Sequence, residues 1–194
     1  MLINELYNNL NIFYNQNWNK FRLINPLFII DNSSNSLTWA NYKSKESFDT
    51  YEEYFYWTLD NNQYSLMIDE LGLVQIFYHF KNNSVNNSSL SYLPNPEITS
   101  EYFRFDLDER GINDFSHTFY HFQFSYPFNN FRIPMKSFPY PSEFLNYILF
   151  LLGLKELKNF NKNNSFEDLD SLQLKNRLNE NKGFLYNHCI DFLH

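Results

Sequence analysis

Apolar positions recur at helical spacing near the start of the chain. Leu2, Leu6, Leu10 and Phe13 share one side of a helical repeat and predict an amphipathic helix over residues 2–18. Asn25-Pro26 breaks that pattern, and Leu27-Phe28-Ile29-Ile30 predicts a short buried strand. Asp31 to Asn35 is turn chemistry, and Leu37 to Tyr42 predicts a returning strand. Within residues 46–60, Phe48, Tyr51, Phe55 and Leu59 suit a helix; the aromatic density would also suit a strand, and the helix is favoured. Tyr64 to Asp69 and Leu73 to Phe80 predict a β-hairpin turning at Glu70-Leu71-Gly72.

Lys81 to Ser89 (KNNSVNNSS) reads as a polar loop, extended by Pro94 and Pro96. Tyr102 to Asp108 and Ser116 to Tyr126 predict a second strand pair about Glu109-Arg110-Gly111, and Arg132-Ile133-Pro134 ends the sheet. FPYPSEF launches a helix, with Ser142 the expected N-cap and Gly153 the stop. Asn159 to Asn164 reads as a linker. Beyond it, Ser165-Phe166-Glu167-Asp168 has capping-box form, and Leu169, Leu172, Leu178, Leu185, Cys189 and Phe192 form an apolar stripe, with Gly183 a break. The expected fold is α+β: a mainly antiparallel sheet built from hairpins, packed with an N-terminal helix, a central helix and a C-terminal helical region. Residues 1–158 are expected to form the α+β domain and 159–194 a helical appendage packed on it.

Charge narrows the partners. The formal net charge is −7, and the fifteen Lys and Arg are scattered, without the basic face that grips phosphates. Nucleic acid is expected only indirectly, through a partner. The longest apolar stretch, Phe144 to Leu154, is shorter than the roughly 20 residues of a membrane span. The N-terminus lacks a basic leader pattern, so a cytoplasmic location without membrane contact is expected. Cys189 is the single cysteine, which excludes an internal disulfide and a multi-Cys zinc site. Four scattered glycines and the lack of nucleotide-binding or hydrolase motifs give no cofactor to expect.

His117 and His121 are the candidate chemistry. On a helix their spacing would share one zinc. HTFYHFQF has β character instead, and on a strand the two stand about 13 Å apart, so no metal site is expected. A metal-free site would use His117 or His121 as general acid or base, Arg132 to hold a phosphate, and Asp106 or Asp108 to orient an imidazole. The competing reading makes both histidines structural residues of a half-buried sheet face. Asp106-x-Asp108-Glu109 likewise reads as a strand end and polar turn.

The 22 Phe, 15 Tyr and 3 Trp exceed what one core needs, although an AT-rich genome also imposes such a profile. Tyr54, Tyr56, Trp57, Tyr120, Phe124, Tyr126 and Phe128 are the expected protein-interface residues, since interfaces concentrate aromatic side chains.

Three motifs carry a resemblance: the hairpin ending Gln75-Ile76-Phe77-Tyr78-His79-Phe80; His117-Thr118-Phe119-Tyr120-His121-Phe122-Gln123-Phe124-Ser125; and Arg132-Ile133-Pro134 with Pro141-Ser142-Glu143-Phe144. Over about residues 51–152 the chain resembles the bacterial family labelled domain of unknown function 2290. Gln123 stands where that family often has a third His, and Ser125 where it has Gly. The resemblance implies an α+β fold and a bacterial origin, and no activity. Two functions are therefore expected in competition. One is a non-catalytic accessory protein that forms a homodimer and binds a protein partner, such as a nucleic-acid-handling enzyme of a bacterial defence system. The other is a small metal-independent ribonuclease or toxin using His117, His121 and Arg132.

Overall fold

The computed structural model describes residues 2–43, 47–82, 84–108, 120–124, 132–134 and 138–155. In chain order the elements are α1 (Leu2–Asn17), β1 (Leu23–Ile24), β2 (Phe28–Asp31), β3 (Ser36–Trp39), α2 (Tyr51–Asp60), β4 (Leu66–Ile68), β5 (Gly72–Lys81), β6 (Ser84–Pro94), β7 (Phe103–Asp108), β8 (Tyr120–Phe124), β9 (Arg132–Pro134) and α3 (Pro141–Leu151). The strands form one antiparallel sheet in the order β1-β4-β5-β6-β7-β8-β9, with β3 joining the far end of β5 and β2 outside it. This is the expected α+β architecture.

One face of the sheet is apolar. Across β5 to β8, Ile76, Leu90, Phe105 and Phe122 lie in one row, and Val74, Tyr92 and Phe103 in the row beside it. Leu6, Leu10 and Phe13 of α1 and Phe144, Leu145, Ile148 and Leu149 of α3 bury this face. Each fully buried Leu or Phe contributes roughly 1.5–3 kcal/mol. α2 packs on the opposite face through Tyr51, Tyr54 and Phe55, against Leu73, Leu93 and Tyr102. No helix among the described residues is long and apolar enough to cross a membrane.

Local signals explain the helix ends. At α2, Thr50 Oγ1 accepts from the Glu53 amide at 3.2 Å, and Glu53 Oε2 accepts from the Thr50 amide at 3.3 Å, a reciprocal capping box. At α3 the cap falls before the expected Ser142. Pro141, whose fixed φ suits the first helical position, begins the helix after Tyr140. The Ser142 amide instead donates to Asn9 Oδ1 of α1 at 3.0 Å, tying the two helices. Gly153, at φ +67°, ends α3 as expected.

The polar loop expected over Lys81 to Ser89 is a correction. Those residues enter the longest strand pair of the sheet. Lys81 pairs with Ser84, and Asn82, at φ +53°, supplies the left-handed position of the tight turn between them. Ser and Asn disfavour strands on their own, but β6 lies between β5 and β7, and pairing on both sides overrides that preference. The linker and helical region expected over 159–194 lie outside the described residues.

Candidate functional site

The second face of the sheet is polar, as the two-residue period of its strands dictates. Gln75, Ser91, Arg104 and Gln123 form one row across β5 to β8, and Phe77, Ser89, Asp106 and His121 form the next. α2 covers one end of this face. There Tyr54 Oη donates to Gln75 Oε1 at 3.0 Å, Gln75 Nε2 donates to the Gln63 carbonyl at 2.8 Å, and Gln63 Oε1 accepts from Trp39 Nε1 at 3.2 Å. This chain of buried amides pays for the burial of polar groups with hydrogen bonds.

Asp106 is the centre of the remaining face. Its carboxylate lies 2.6 Å from Arg104 Nε and 3.5 Å from His121 Nε2, and accepts from Ser89 Oγ at 2.8 Å. Burial pushes the Asp106 carboxyl up. The hydrogen bond from His121, the Arg104 charge, the His121 charge and the Ser89 bond together outweigh it and hold the group below the usual carboxylate range. For Arg104, burial acts downward, but the Asp106 carboxylate leads the interactions that hold its pKa above the ordinary value. The cluster is a largely buried ion pair with a histidine at its side.

A carboxylate beside an imidazole is the positioning half of a general-base arrangement. Here the imidazole is 1 % exposed, and the Ser89 hydroxyl is directed at the carboxylate. The ribonuclease reading asks for a solvent-open His121, and the structure places His121 on a buried sheet face. Arg132 lies on β9 opposite Gln123, not opposite His121, whose partner in register is Pro134. His117 lies outside the described residues. Of the two aspartates proposed to orient an imidazole, Asp106 meets His121, while Asp108 pairs with Asn87 at the strand end. Among the described residues there is no group of three His, Cys, Asp or Glu side chains able to hold a metal ion.

Gln123 is 2 % exposed, and among the described residues neither its Oε1 nor its Nε2 has a hydrogen-bond partner. Arg104, the residue opposite it in register, was missed as a site residue. The alternation in Phe103-Arg104-Phe105-Asp106-Leu107-Asp108 was the signal, since a two-residue period sets Arg104 and Asp106 side by side.

The expected interface residues divide. The Tyr54 ring is buried between α2 and the sheet, and its hydroxyl donates to Gln75. Tyr56 is 37 % exposed, and Trp57 is half-buried against Phe48, with ring centroids 5.2 Å apart. Tyr120 and Phe124 lie on β8. Tyr126 and Phe128 lie outside the described residues. The outward side of α2 presents Glu52, Tyr56 and Asp60 at successive turns, with Glu53 beside them and no basic residue in the helix.

No curated protein and no solved structure matches the chain. A family does match, over residues 24–103. The matched segment begins earlier than the resemblance read from the motifs. It contains the Gln75–Phe80 hairpin and stops before the motifs at His117–Ser125 and Arg132–Pro134. Through residues 24–103 the chain is similar to the family described as "Uncharacterized conserved protein (DUF2290)".

Proposed function

We propose that this protein is a non-catalytic accessory module that binds a basic protein partner through the outward side of α2 and associates with a second copy of itself. The observation that carries this reading is the row Glu52, Tyr56 and Asp60, an acidic and aromatic face on a helix that has no basic residue of its own, on a chain of net charge −7. Such a face complements a positively charged surface, and its exposed tyrosine supplies the amphipathic contact area that interface centres favour. A nucleic-acid-handling enzyme is the partner class whose basic surface fits, and nucleic acid is then met only through it. The polar sheet face supports the same reading from the other side: its charged groups neutralise one another instead of standing open for a substrate.

The test is a tagged pull-down of the full chain co-expressed with its chromosomal neighbours, read by mass spectrometry and light scattering. A stoichiometric partner is expected, and the charge-reversed variant E52K/D60K is expected to release it without a change in thermal melting. A partner retained by that variant places the interface elsewhere. A lone monomer that captures nothing overturns the reading.

A further inference from the structure

A helix that is apolar on every side needs cover on every side. α3 comes close to this: from Phe144 to Leu151 its only polar groups are the Asn146 amide and the Tyr147 hydroxyl. Phe144, Leu145, Ile148 and Leu149 are fully buried against the sheet and α1. On the outward side Phe150 is 38 %, Leu151 50 % and Leu154 41 % exposed. The turn that follows α1 adds Trp18, 50 % exposed, at the same end of the molecule: Lys155 Nζ lies 6.0 Å from the ring of Phe21, less than one helical turn further along the chain. Exposed large apolar groups gathered this way mark a contact surface.

We infer that this outward side of α3 is the seat of the chain's own residues 165–194, which close the helical layer as an intramolecular cap. The point of departure favours this occupant. The chain leaves α3 at Gly153 and passes Lys155 beside the exposed residues, so the segment starts at the surface it would cover. Nine residues, 156–164, separate Lys155 from Ser165, a reach of at most about 36 Å. A tether of that length supplies an effective concentration on the order of millimolar, which a second copy cannot match at working dilution. The segment carries the complementary chemistry. Leu169, Leu172, Leu178, Leu185, Cys189 and Phe192 form its apolar stripe, and Glu167-Asp168-Leu169-Asp170 brings acid to an end of the molecule where Lys20 and Lys155 sit close together. Burial first, and then the Lys20 charge, hold the Lys155 ammonium below its usual range, so a carboxylate arriving there relieves a like-charge contact.

This surface is separate from the outward side of α2. The test is hydrogen–deuterium exchange on the full chain at two concentrations a hundredfold apart, with the rate at which Cys189 reacts with a thiol reagent as a second readout. Amides in 165–192 are expected to exchange at least tenfold slower than an unstructured chain at both concentrations, and Cys189 to be slow. The variant L151E/L154E is expected to abolish both protections while the amides of β5 and β6 keep theirs. L172E, which alters only the segment, is expected to do the same and decides the matter if the first variant misfolds. Fast exchange over 165–192 in the wild-type chain overturns the inference, as does protection that survives both variants. Protection that appears only at the higher concentration, with a dimer mass, overturns it in favour of a second copy on this face.

Discussion

Replacing Asp106 with Asn removes the charge at the centre of the polar sheet face and keeps its shape. The carboxylate neutralises Arg104 at 2.6 Å, holds the Ser89 hydroxyl at 2.8 Å and lies 3.5 Å from His121. Breaking one partner out of a buried pair typically costs about 3–5 kcal/mol, because the other charge stays buried without compensation. The Arg104 side chain is 24 % exposed, so water takes up part of its charge and the lower end, about 3 kcal/mol, is expected. With a urea dependence of roughly 2 kcal/mol per molar, the unfolding midpoint of D106N falls by about 1.5 M at pH 7. The pH dependence has a definite sign. The Asp106 carboxyl titrates lower in the fold than in the unfolded chain, where an aspartate titrates near 3.9. Its ionisation therefore stabilises the fold above about pH 4, and that contribution is lost as pH falls through the lowered folded value. The gap between wild type and D106N narrows over that acid range. Replacing both charges with apolar groups, R104M/D106L, recovers most of the loss, since no charge is left unpaired. A D106N midpoint within 0.3 M of wild type, or a double variant no more stable than D106N, refutes this account of the cluster; 0.3 M is about 0.6 kcal/mol at that slope.

Three further outcomes follow from single positions. Burial pushes the Glu143 carboxyl up to about 7 although it accepts the Tyr140 amide at 2.7 Å, so stability is full below about pH 4 and declines as pH rises through 7. E143Q keeps an acceptor and loses the titration; it is expected to match wild type in urea at pH 5 and exceed it by about 1–3 kcal/mol at pH 8, and parallel pH profiles for the two chains refute the assignment. A Cβ at Gly72 would stand 2.4 Å from the Leu93 carbonyl oxygen and 2.9 Å from Pro94 Cα, both backbone atoms, so G72A costs about 2 kcal/mol or more in thermal or urea unfolding. Q123M removes a buried amide without hydrogen-bond partners among the described residues and is expected to stabilise by about 1 kcal/mol; a loss of stability in urea shows that the amide is needed.

The sheet and its helices were legible because their patterns are local. Leu6, Leu10 and Phe13 announced α1 by spacing, and the alternation about Glu70-Leu71-Gly72 announced the β4–β5 hairpin. β6 was not legible in the same way. Its Ser88 and Ser91 are buried by neighbours in the sheet, a condition absent from the residues themselves, and the run of Asn and Ser from residue 82 read as a loop. At the candidate site, Asp106 and His121 were named from residue type, but their meeting depends on the register of β7 against β8, which no spacing within either strand specifies. Arg104 was passed over because Asp106-x-Asp108-Glu109 read as a strand end and polar turn, while the cation that pairs with Asp106 lies two residues away in the same strand.

That register explains why a sheet would carry charge on a buried face at all. β8 is only five residues long, and each of its faces must match β7. A slip of one residue would turn Phe122 from the phenylalanine-rich core onto the polar face and drive His121 and Gln123 among Phe103, Phe105 and Phe144. An all-apolar strand could tolerate such a slip, because both of its faces would be equally at home in the core. With Asp106 paired to Arg104 and set opposite His121, the shifted arrangement leaves a carboxylate and a guanidinium facing aromatic rings, at a cost of several kcal/mol. The charged row thus makes its contribution through the alternatives it penalises, and the D106N and R104M/D106L pair separates the two roles. Net stability is read by the unfolding midpoint, and loss of a unique register is read by slow exchange or doubled resonances at Phe122 in the double variant.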